Sequence, residues 1–296
     1  MPYHNRPLTL GAIVWALVAS FLWSGNSVSI KFALAGVPPL ALAGVRFILG
    51  LAVVSIWIVS SRISLRMTGG EWRLLVQLTL IFSLQILFLN IGTDGTTGSR
   101  SSILISCHPF FVALFAHLFI PGDRFSLLKL IGMALSFIGI CSIFWEGLFL
   151  GNRLVLVGDL LVFASSLLLG ARQVYVKHLT MNIHPGKILF WQAVLSIPVF
   201  FILSAVYEPL DNITLTTGIV LAILYQGVVI AGICFIIWTI LMRDFKASRL
   251  GVFSFTIPPF GVLLSSIFLK EAPTPGIWIS MLLVGAGVAL VNSEKG

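Results

Sequence analysis

The chain has 296 residues, of which 58% are hydrophobic and only 9% are charged, and its mean hydropathy is +1.07. A water-soluble protein of this length needs far more charge to cover its surface. The composition therefore excludes an ordinary soluble domain and predicts an all-α protein that crosses a membrane many times. The formal net charge of +8 does not indicate a nucleic-acid partner, because the basic residues are distributed as a topology signal.

Ten stretches are long and apolar enough to form helices across about 30 Å of hydrocarbon, which takes roughly 20 residues. We name them spans 1 to 10 and predict them at 10–34, 39–60, 72–92, 98–120, 127–145, 153–176, 187–206, 216–241, 249–269 and 275–293. The loops between them are short, so neighbouring spans are expected to be antiparallel. Span 1 is expected to be retained rather than cleaved as a signal, because it is long and further spans follow it.

The basic residues predict the orientation of the spans. With the N-terminus inside, the inner ends and loops contain Arg6, Arg62, Arg66, Arg73, Arg124, Lys129, Lys177, Lys187, Arg243, Lys246, Arg249 and Lys295. The outer side contains Lys31, Arg100, Arg153 and Lys270. This bias predicts a multi-pass protein of the cell inner membrane with both termini in the cytoplasm.

The two halves of the chain share landmarks in the same order. A shift of 146 to 149 positions pairs Lys31 with Lys177, Pro39 with Pro185, Gln77 with Gln226, and Pro109 with Pro258. Each half, 1–148 and 149–296, contains five spans, and because five is odd the second half enters the membrane in the opposite orientation. Inverted repeats of this kind place a substrate site near the midplane and allow alternating access from the two sides.

These features, with Trp23-Ser24-Gly25 late in span 1 and the paired "SR…P" motifs that begin at Ser99 and Ser248, resemble the EamA-type transporters of the drug/metabolite transporter superfamily. Within that superfamily, the size, the aromatic content and the mostly uncharged interior are most similar to the YddG-type exporters of aromatic amino acids and methyl viologen. The resemblance implies that spans 1–4 and 6–9 surround a cavity and that spans 5 and 10 are peripheral.

Arg46 in span 2 and Asp159 in span 6 are both predicted one to two turns below the outer surface. We hypothesise that they form an outer ion pair, which acts as a latch or binds a zwitterion. The alternative is that Arg46 extends to the interface while Asp159 caps the first turn of span 6. Arg172, close to the inner end of span 6, is expected to extend to the inner interface.

His108 lies about eleven residues into span 4, which is roughly 16 Å along a helix and therefore close to the midplane. An ionisable side chain at that depth indicates a substrate contact or a proton carrier. The alternative is a neutral imidazole that hydrogen-bonds to a freed carbonyl in the core.

Prolines interrupt spans 4 and 9 at matching positions. Pro109 frees the carbonyl of Ile105, and Pro258 and Pro259 free two more, because proline lacks an N–H and clashes with the carbonyl four residues earlier. Membrane helices tolerate such breaks where they face protein or a solute cavity. We expect Pro109, Pro258 and Pro259 to act as hinges, with a kink that only shapes the bundle as the alternative.

Other candidate substrate contacts are polar or aromatic side chains on the predicted cavity spans. They are Trp23, Ser24, Gln85, Asn90, Ser165, Tyr225 and Gln226. Aromatic faces can stack on a flat solute or attract its ammonium group. The serines can equally serve only to let helices approach closely.

Several absent patterns narrow the function. No cluster of Lys or Arg is predicted at the midplane, which disfavours phosphorylated substrates. No carboxylate lies in the middle of span 1, where small multidrug relatives have their proton carrier, and no GxSxG or HExxH pattern indicates an intramembrane enzyme. We therefore expect no metal or cofactor, and a monomeric, facilitative exporter of aromatic and other neutral amino acids and of amphipathic solutes such as methyl viologen. A proton-coupled antiporter is the main alternative.

Overall fold

The computed structural model describes residues 8–119, 127–149, 153–245, 250 and 252–292, and every regular element in these ranges is a helix. The α-helices are α1 (Leu10–Ser24), α2 (Asn26–Ala33), α3 (Pro39–Ser60), α4 (Gly69–Gly95), α5 (Gly98–Ile105), α6 (His108–Phe119), α7 (Leu127–Phe149), α8 (Arg153–Leu179), α9 (Pro185–Tyr207), α10 (Thr217–Leu224), α11 (Phe235–Asp244), α12 (Ile257–Phe268) and α13 (Pro275–Asn292). A π-helix, Tyr225–Cys234, joins α10 to α11, and a 3-10 helix, Val252–Thr256, precedes α12.

Seven helical stretches are long and apolar enough to cross a membrane. They are Leu10–Ala33, Pro39–Ser60, Gly69–Gly95, Gly98–Phe119, Arg153–Leu179, Pro185–Tyr207 and Thr217–Asp244. Shorter apolar helices lie inside predicted spans 5, 9 and 10, at Ala134–Ile143, Ile257–Phe268 and Pro275–Gly287. The chain is therefore a multi-pass, all-helical membrane protein, and the count of ten spans stays a prediction.

Part of the orientation signal lies outside the described residues, as do both chain termini. The basic residues concerned are Arg6, Arg124, Lys246, Arg249 and Lys295, and Ser248 of the second "SR" motif lies there as well.

Four of the predicted spans are interrupted near their middle. Spans 4 and 9 change at the prolines: two residues separate the end of α5 from the start of α6 at His108, and the 3-10 helix gives way to α12 just before Pro258. Span 8 contains the π-helix. Span 1 breaks at Gly25.

Gly25 is required by a close approach of span 8. A Cβ atom at this position would lie 2.7 Å from the Tyr225 hydroxyl oxygen, which is closer than carbon and oxygen atoms can pack. The Tyr225 hydroxyl donates a hydrogen bond to the carbonyl of Leu22, at the end of α1. The break in span 1 is therefore held by a side chain from span 8.

The helices pack in pairs across the bundle. α7 packs along α13, α3 along α9, α4 along α8, and α5 on α12. α7 and α13 approach closely because small residues meet between them. A Cβ atom at Gly139 would lie 2.9 Å from the Val284 side chain, and one at Gly287 would lie 2.4 Å from the Gly132 carbonyl oxygen.

Two polar ends bound the bundle, and we name each after one residue. The Arg100 end contains Arg100, Asp159, Glu208 and Glu271, at or near the first residues of α3, α5 and α8. The Lys187 end contains Lys187 with Glu71, and Arg243 with Asp244.

The Lys187 end also contains His184, outside the spans. Its Nδ1 accepts a hydrogen bond from the Gly186 amide at the start of α9. Burial and the charge of Arg243 lower the pKa of His184, which favours the neutral imidazole that this bond needs.

Candidate functional site: a cavity at the helix breaks

A cavity lies where the four interrupted spans meet. The void among its side chains measures about 620 Å³, including the part that is open to solvent. Residues on both sides of each interruption line it: Trp23 and Asn26 in span 1, Ile105 and His108 in span 4, Ile230 and Phe235 in span 8, and Ser254 and Ile257 in span 9. No described residue of α7 or α13 lines it.

Four buried polar atoms of the lining have no hydrogen-bond partner among the described residues. They are Asn26 Oδ1, Arg46 Nε, Trp238 Nε1 and Ser254 Oγ. Leaving a buried donor or acceptor unpaired costs about 1–3 kcal/mol. A bound polar solute can supply the missing partners, so these atoms make the cavity a candidate binding site.

Arg46 lies in the cavity wall and is 2% exposed. Its Nη1 lies 3.5 Å from Gln226 Oε1, and its guanidinium carbon lies 4.7 Å from the centre of the Phe47 ring. The hypothesis that Arg46 pairs with Asp159 is wrong, because Asp159 is bonded to a different arginine.

That arginine is Arg100, which joins three helices at the Arg100 end. Its Nε and Nη2 lie 3.2 and 2.5 Å from the two oxygens of Asp159. Its Nη1 lies 3.1 Å from Glu146 and its Nη2 donates to the carbonyl of Ile143, 2.6 Å away. Thr96 donates a further hydrogen bond to Asp159. The network ties α8 and α7 to α5, and it closes this end of the bundle.

Acidic side chains hold two further helix starts at the Arg100 end. Glu208 accepts hydrogen bonds from the amides of Leu40 and Ala41, at 2.6 and 2.9 Å. Glu271 accepts from the amides of Gly98 and Ser99, at 2.7 and 2.9 Å. Carboxylates are favourable at these N-terminal amides.

The cavity continues toward the Lys187 end. A second void shares Trp23, Arg172 and Phe235 with it and extends to Val176 and Met242, which lie close to the ends of α8 and α11. The cavity is thus extended toward one end and covered at the other.

His108 lies at the cavity, where its Nδ1 is 3.0 Å from the carbonyl oxygen of Ile105. Pro109 removes the helical donor for that carbonyl, and the imidazole replaces it. The alternative that His108 hydrogen-bonds to a freed carbonyl therefore holds for Nδ1. The ring as a whole still lines the cavity.

Arg172 also lies at the cavity, which corrects the expectation that it extends to the interface. It is 8% exposed, and its guanidinium carbon lies 5.1 Å from the ring centres of both Phe82 and Phe235. The reason is length: α8 runs to Leu179, beyond the predicted span end at 176, so Arg172 lies deeper than the sequence suggested.

Of the other predicted contacts, Trp23 and Gln85 line the cavity, and five do not. Ser24 makes a hydrogen bond to Phe21 of its own helix. The other four bond to neighbouring helices: Asn90 to Pro39, Ser165 to Gln85, Tyr225 to Leu22, and Gln226 to Arg46 and Ser29. Pro109, Pro258 and Pro259 lie behind the lining, beside His108 and Ile257.

Sequence reasoning missed Asn26 and Ser254 as cavity residues. Both had a local signal, because Asn26 directly follows Gly25 at the break in span 1, and Ser254 lies four residues before Pro258.

Comparisons with known proteins are consistent with this architecture. The model of the EamA-like transporter family matches residues 10–145 and again 156–293. The chain is 26% identical to the "uncharacterized transporter YvbV" of Bacillus subtilis (strain 168), over 98% of this chain and 93% of the relative. It is 24% identical to a "probable amino-acid metabolite efflux pump" of Escherichia coli (strain K12), over 93% and 92%. A solved crystal structure with 20% identity has the same fold, with a TM-score of 0.72 over 95% of this chain and 98% of that one.

Proposed function

The chain belongs to the EamA-like transporter family, and we propose that it exports amino acids and similar small solutes across the cell inner membrane by alternating access, as a monomer and without a coupling ion. It is a membrane transporter of the drug/metabolite transporter superfamily. The observation that carries the proposal is the cavity, in which broken helices from both halves of the chain present buried polar atoms without partners.

Amino acids are proposed because a relative of similar length is described as a probable amino-acid metabolite efflux pump. The aromatic side chains of Trp23, Phe235 and Trp238 line the cavity and suit an aromatic body. The charge of the lining argues against methyl viologen as a solute. Methyl viologen is a dication, and the lining contains Arg46 and Arg172 but no Asp or Glu.

We further propose that 1–148 and 149–296 are inverted repeats of five spans each. The family model matches the chain twice. Three pairs of equivalent spans pack on each other, which supports an axis in the membrane plane: span 2 on 7 (α3 on α9), span 4 on 9 (α5 on α12) and span 5 on 10 (α7 on α13).

In this proposal the Lys187 end faces the cytoplasm, where both termini lie. Arg62, Arg66, Arg73, Lys187 and Arg243 lie toward this end, which agrees with the positive-inside rule. The cavity then extends toward the cytoplasm, and Pro109, Pro258 and Pro259 are the hinges that allow it to open at the Arg100 end.

The test is efflux of labelled solutes from vesicles that contain the purified protein, with phenylalanine, other amino acids and their acidic derivatives in the panel. Ser254→Ala and Ser265→Ala form a matched pair, because both hydroxyls are buried without a partner but only Ser254 lines the cavity. We expect Ser254→Ala to raise KM by about 2- to 12-fold, the value of one hydrogen bond, and Ser265→Ala to leave it unchanged. Flux equal to that of empty vesicles across the panel would refute the proposal.

The proton-coupled alternative has one candidate carrier, His108, which is the only His, Asp or Glu of the lining. Facilitated export predicts that an imposed pH gradient does not drive accumulation of solute. Accumulation that the wild type shows and His108→Asn loses would establish the antiporter instead.

A further inference from the structure

Two arginines face the cavity without a counterion. Arg46 and Arg172 are the only Arg, Lys, Asp or Glu residues among its lining. No described side chain forms an ion pair with either of them, and Arg172 exerts electrostatic repulsion on Arg46. The lining therefore has an uncompensated positive charge inside the bundle, where water screens it poorly.

Five acidic side chains of the described bundle are bonded elsewhere. Asp159 and Glu146 bind Arg100, and Glu71 binds Lys187. Glu208 and Glu271 accept hydrogen bonds from the first amides of α3 and α5. None of them is free to turn into the cavity and neutralise it.

Aromatic rings hold both guanidinium groups in place. Arg46 lies over Phe47, and Arg172 lies over Phe82 and Phe235. The centre of the Phe47 ring is 4.8 Å from that of Phe82 and 6.2 Å from that of Phe235, so the three rings form one cluster under both cations. A ring face stabilises a cation without using its N–H donors, so the donors other than Arg46 Nη1, which lies 3.5 Å from Gln226 Oε1, stay available for a solute.

The unpartnered atoms of the lining are mainly hydrogen-bond donors. Arg46 Nε and Trp238 Nε1 only donate, Ser254 Oγ does either, and Asn26 Oδ1 only accepts. A carboxylate accepts several hydrogen bonds and pairs with guanidinium groups in a bidentate geometry. An amide N–H or a hydroxyl on the same solute suits Asn26.

We propose that the cavity binds solutes of net negative charge, through a carboxylate held by Arg46 and Arg172, and that it prefers monoanionic relatives of amino acids to the zwitterions themselves. This inference rests on the proposed transport function. A 2-oxo acid or an N-acyl amino acid brings the anion that the cavity lacks. A zwitterion also brings an ammonium group, for which the described lining offers no carboxylate.

A series of solutes with the same phenyl body tests the charge preference in the wild-type protein. Phenylpyruvate and N-acetylphenylalanine are monoanions, phenylalanine is a zwitterion, and phenylalaninamide is a cation. We expect both monoanions to compete for efflux with at least tenfold lower inhibition constants than phenylalanine, and the amide not to compete.

Variants then assign the preference to the two arginines. Arg46→Gln and Arg172→Gln are each expected to weaken competition by N-acetylphenylalanine at least tenfold and to change competition by phenylalanine much less. Arg46→Lys and Arg172→Lys keep the charge and are expected to retain part of the preference. Arg243→Gln, whose side chain pairs with Asp244 outside the cavity, is the matched control and is expected to behave as the wild type.

The outcomes separate the two proposals. Absence of flux for every solute in the wild type contradicts the transport function itself. If phenylalanine is transported and competes for efflux at least as strongly as the monoanions, only the anion preference is overturned. If a glutamine variant fails to fold, the wild-type solute series and the lysine variants still test the anion preference.

Discussion

At the scale of single residues, the ion pair between Arg100 and Asp159 is buried inside the described bundle. The Arg100 side chain is 3% exposed and that of its partner Asp159 is not exposed at all. Removing one partner of a buried ion pair costs about 3–5 kcal/mol, because the other charge is left uncompensated. We expect Arg100→Gln to lower the free energy of unfolding by this amount. The measurement is a lower thermal unfolding temperature of the purified protein in detergent.

Arg243→Gln is the control for this prediction, because the Arg243–Asp244 pair is partly exposed, at 37% and 26%. Exposed pairs contribute about 0–1 kcal/mol, so this variant should unfold close to the wild-type temperature. Equal losses in the two variants would show that the Arg100 network does not hold the bundle together.

The pairing of Asp159 shows which properties of a single buried residue the sequence can predict and which it cannot. Depth in the membrane follows from distance to a span end, and Asp159 does lie near the Arg100 end. Direction around the helix axis depends on how neighbouring helices pack, and the sequence does not state that packing. Depth alone therefore favours Arg46 as the partner of Asp159, while the sequence indicates only a topology role for Arg100.

At the scale of helices, the interruptions decide where the cavity lies. Those at Pro109 and Pro258 were predictable, because proline cannot complete the helical hydrogen-bond pattern. The break at Gly25 was not, because the close approach of Tyr225 from span 8 that accompanies it is a tertiary contact. The π-helix of span 8 has no proline inside it and no other signal in the sequence that we recognise.

The hinge role of the prolines has a direct test in the pair Pro258→Ala and Pro259→Ala, made together. Restored backbone donors should extend α12 backward, turn Ser254 and Ile257 away from their present positions, and reduce efflux several-fold without lowering the unfolding temperature. Pro198→Ala is the matched control: Pro198 lies inside α9, is exposed, and does not line the cavity. A wild-type efflux rate in the double variant would show that Pro258 and Pro259 only shape the bundle and are not hinges.

At the scale of the whole molecule, the two ends of the bundle differ. The Arg100 end is closed by buried charges and capped helix starts, whereas the cavity continues toward the Lys187 end. Composition and periodicity predicted a helical membrane bundle, and the two inverted halves stay a prediction from the repeated landmarks. Neither predicted this asymmetry, because it is a property of one conformation and a transporter has at least two.

The central claim is that one cavity becomes accessible from both sides of the membrane, and its most direct measurement is the accessibility of a single cysteine. Ser254→Cys, in a chain whose Cys107, Cys141 and Cys234 are replaced by serine, places the thiol at the cavity. A membrane-impermeant maleimide is added to one side of oriented vesicles at a time. The account predicts reaction from the Lys187 side at rest, and additional reaction from the Arg100 side while solute is being transported. Reaction from one side only, under every condition of solute gradient, would contradict it.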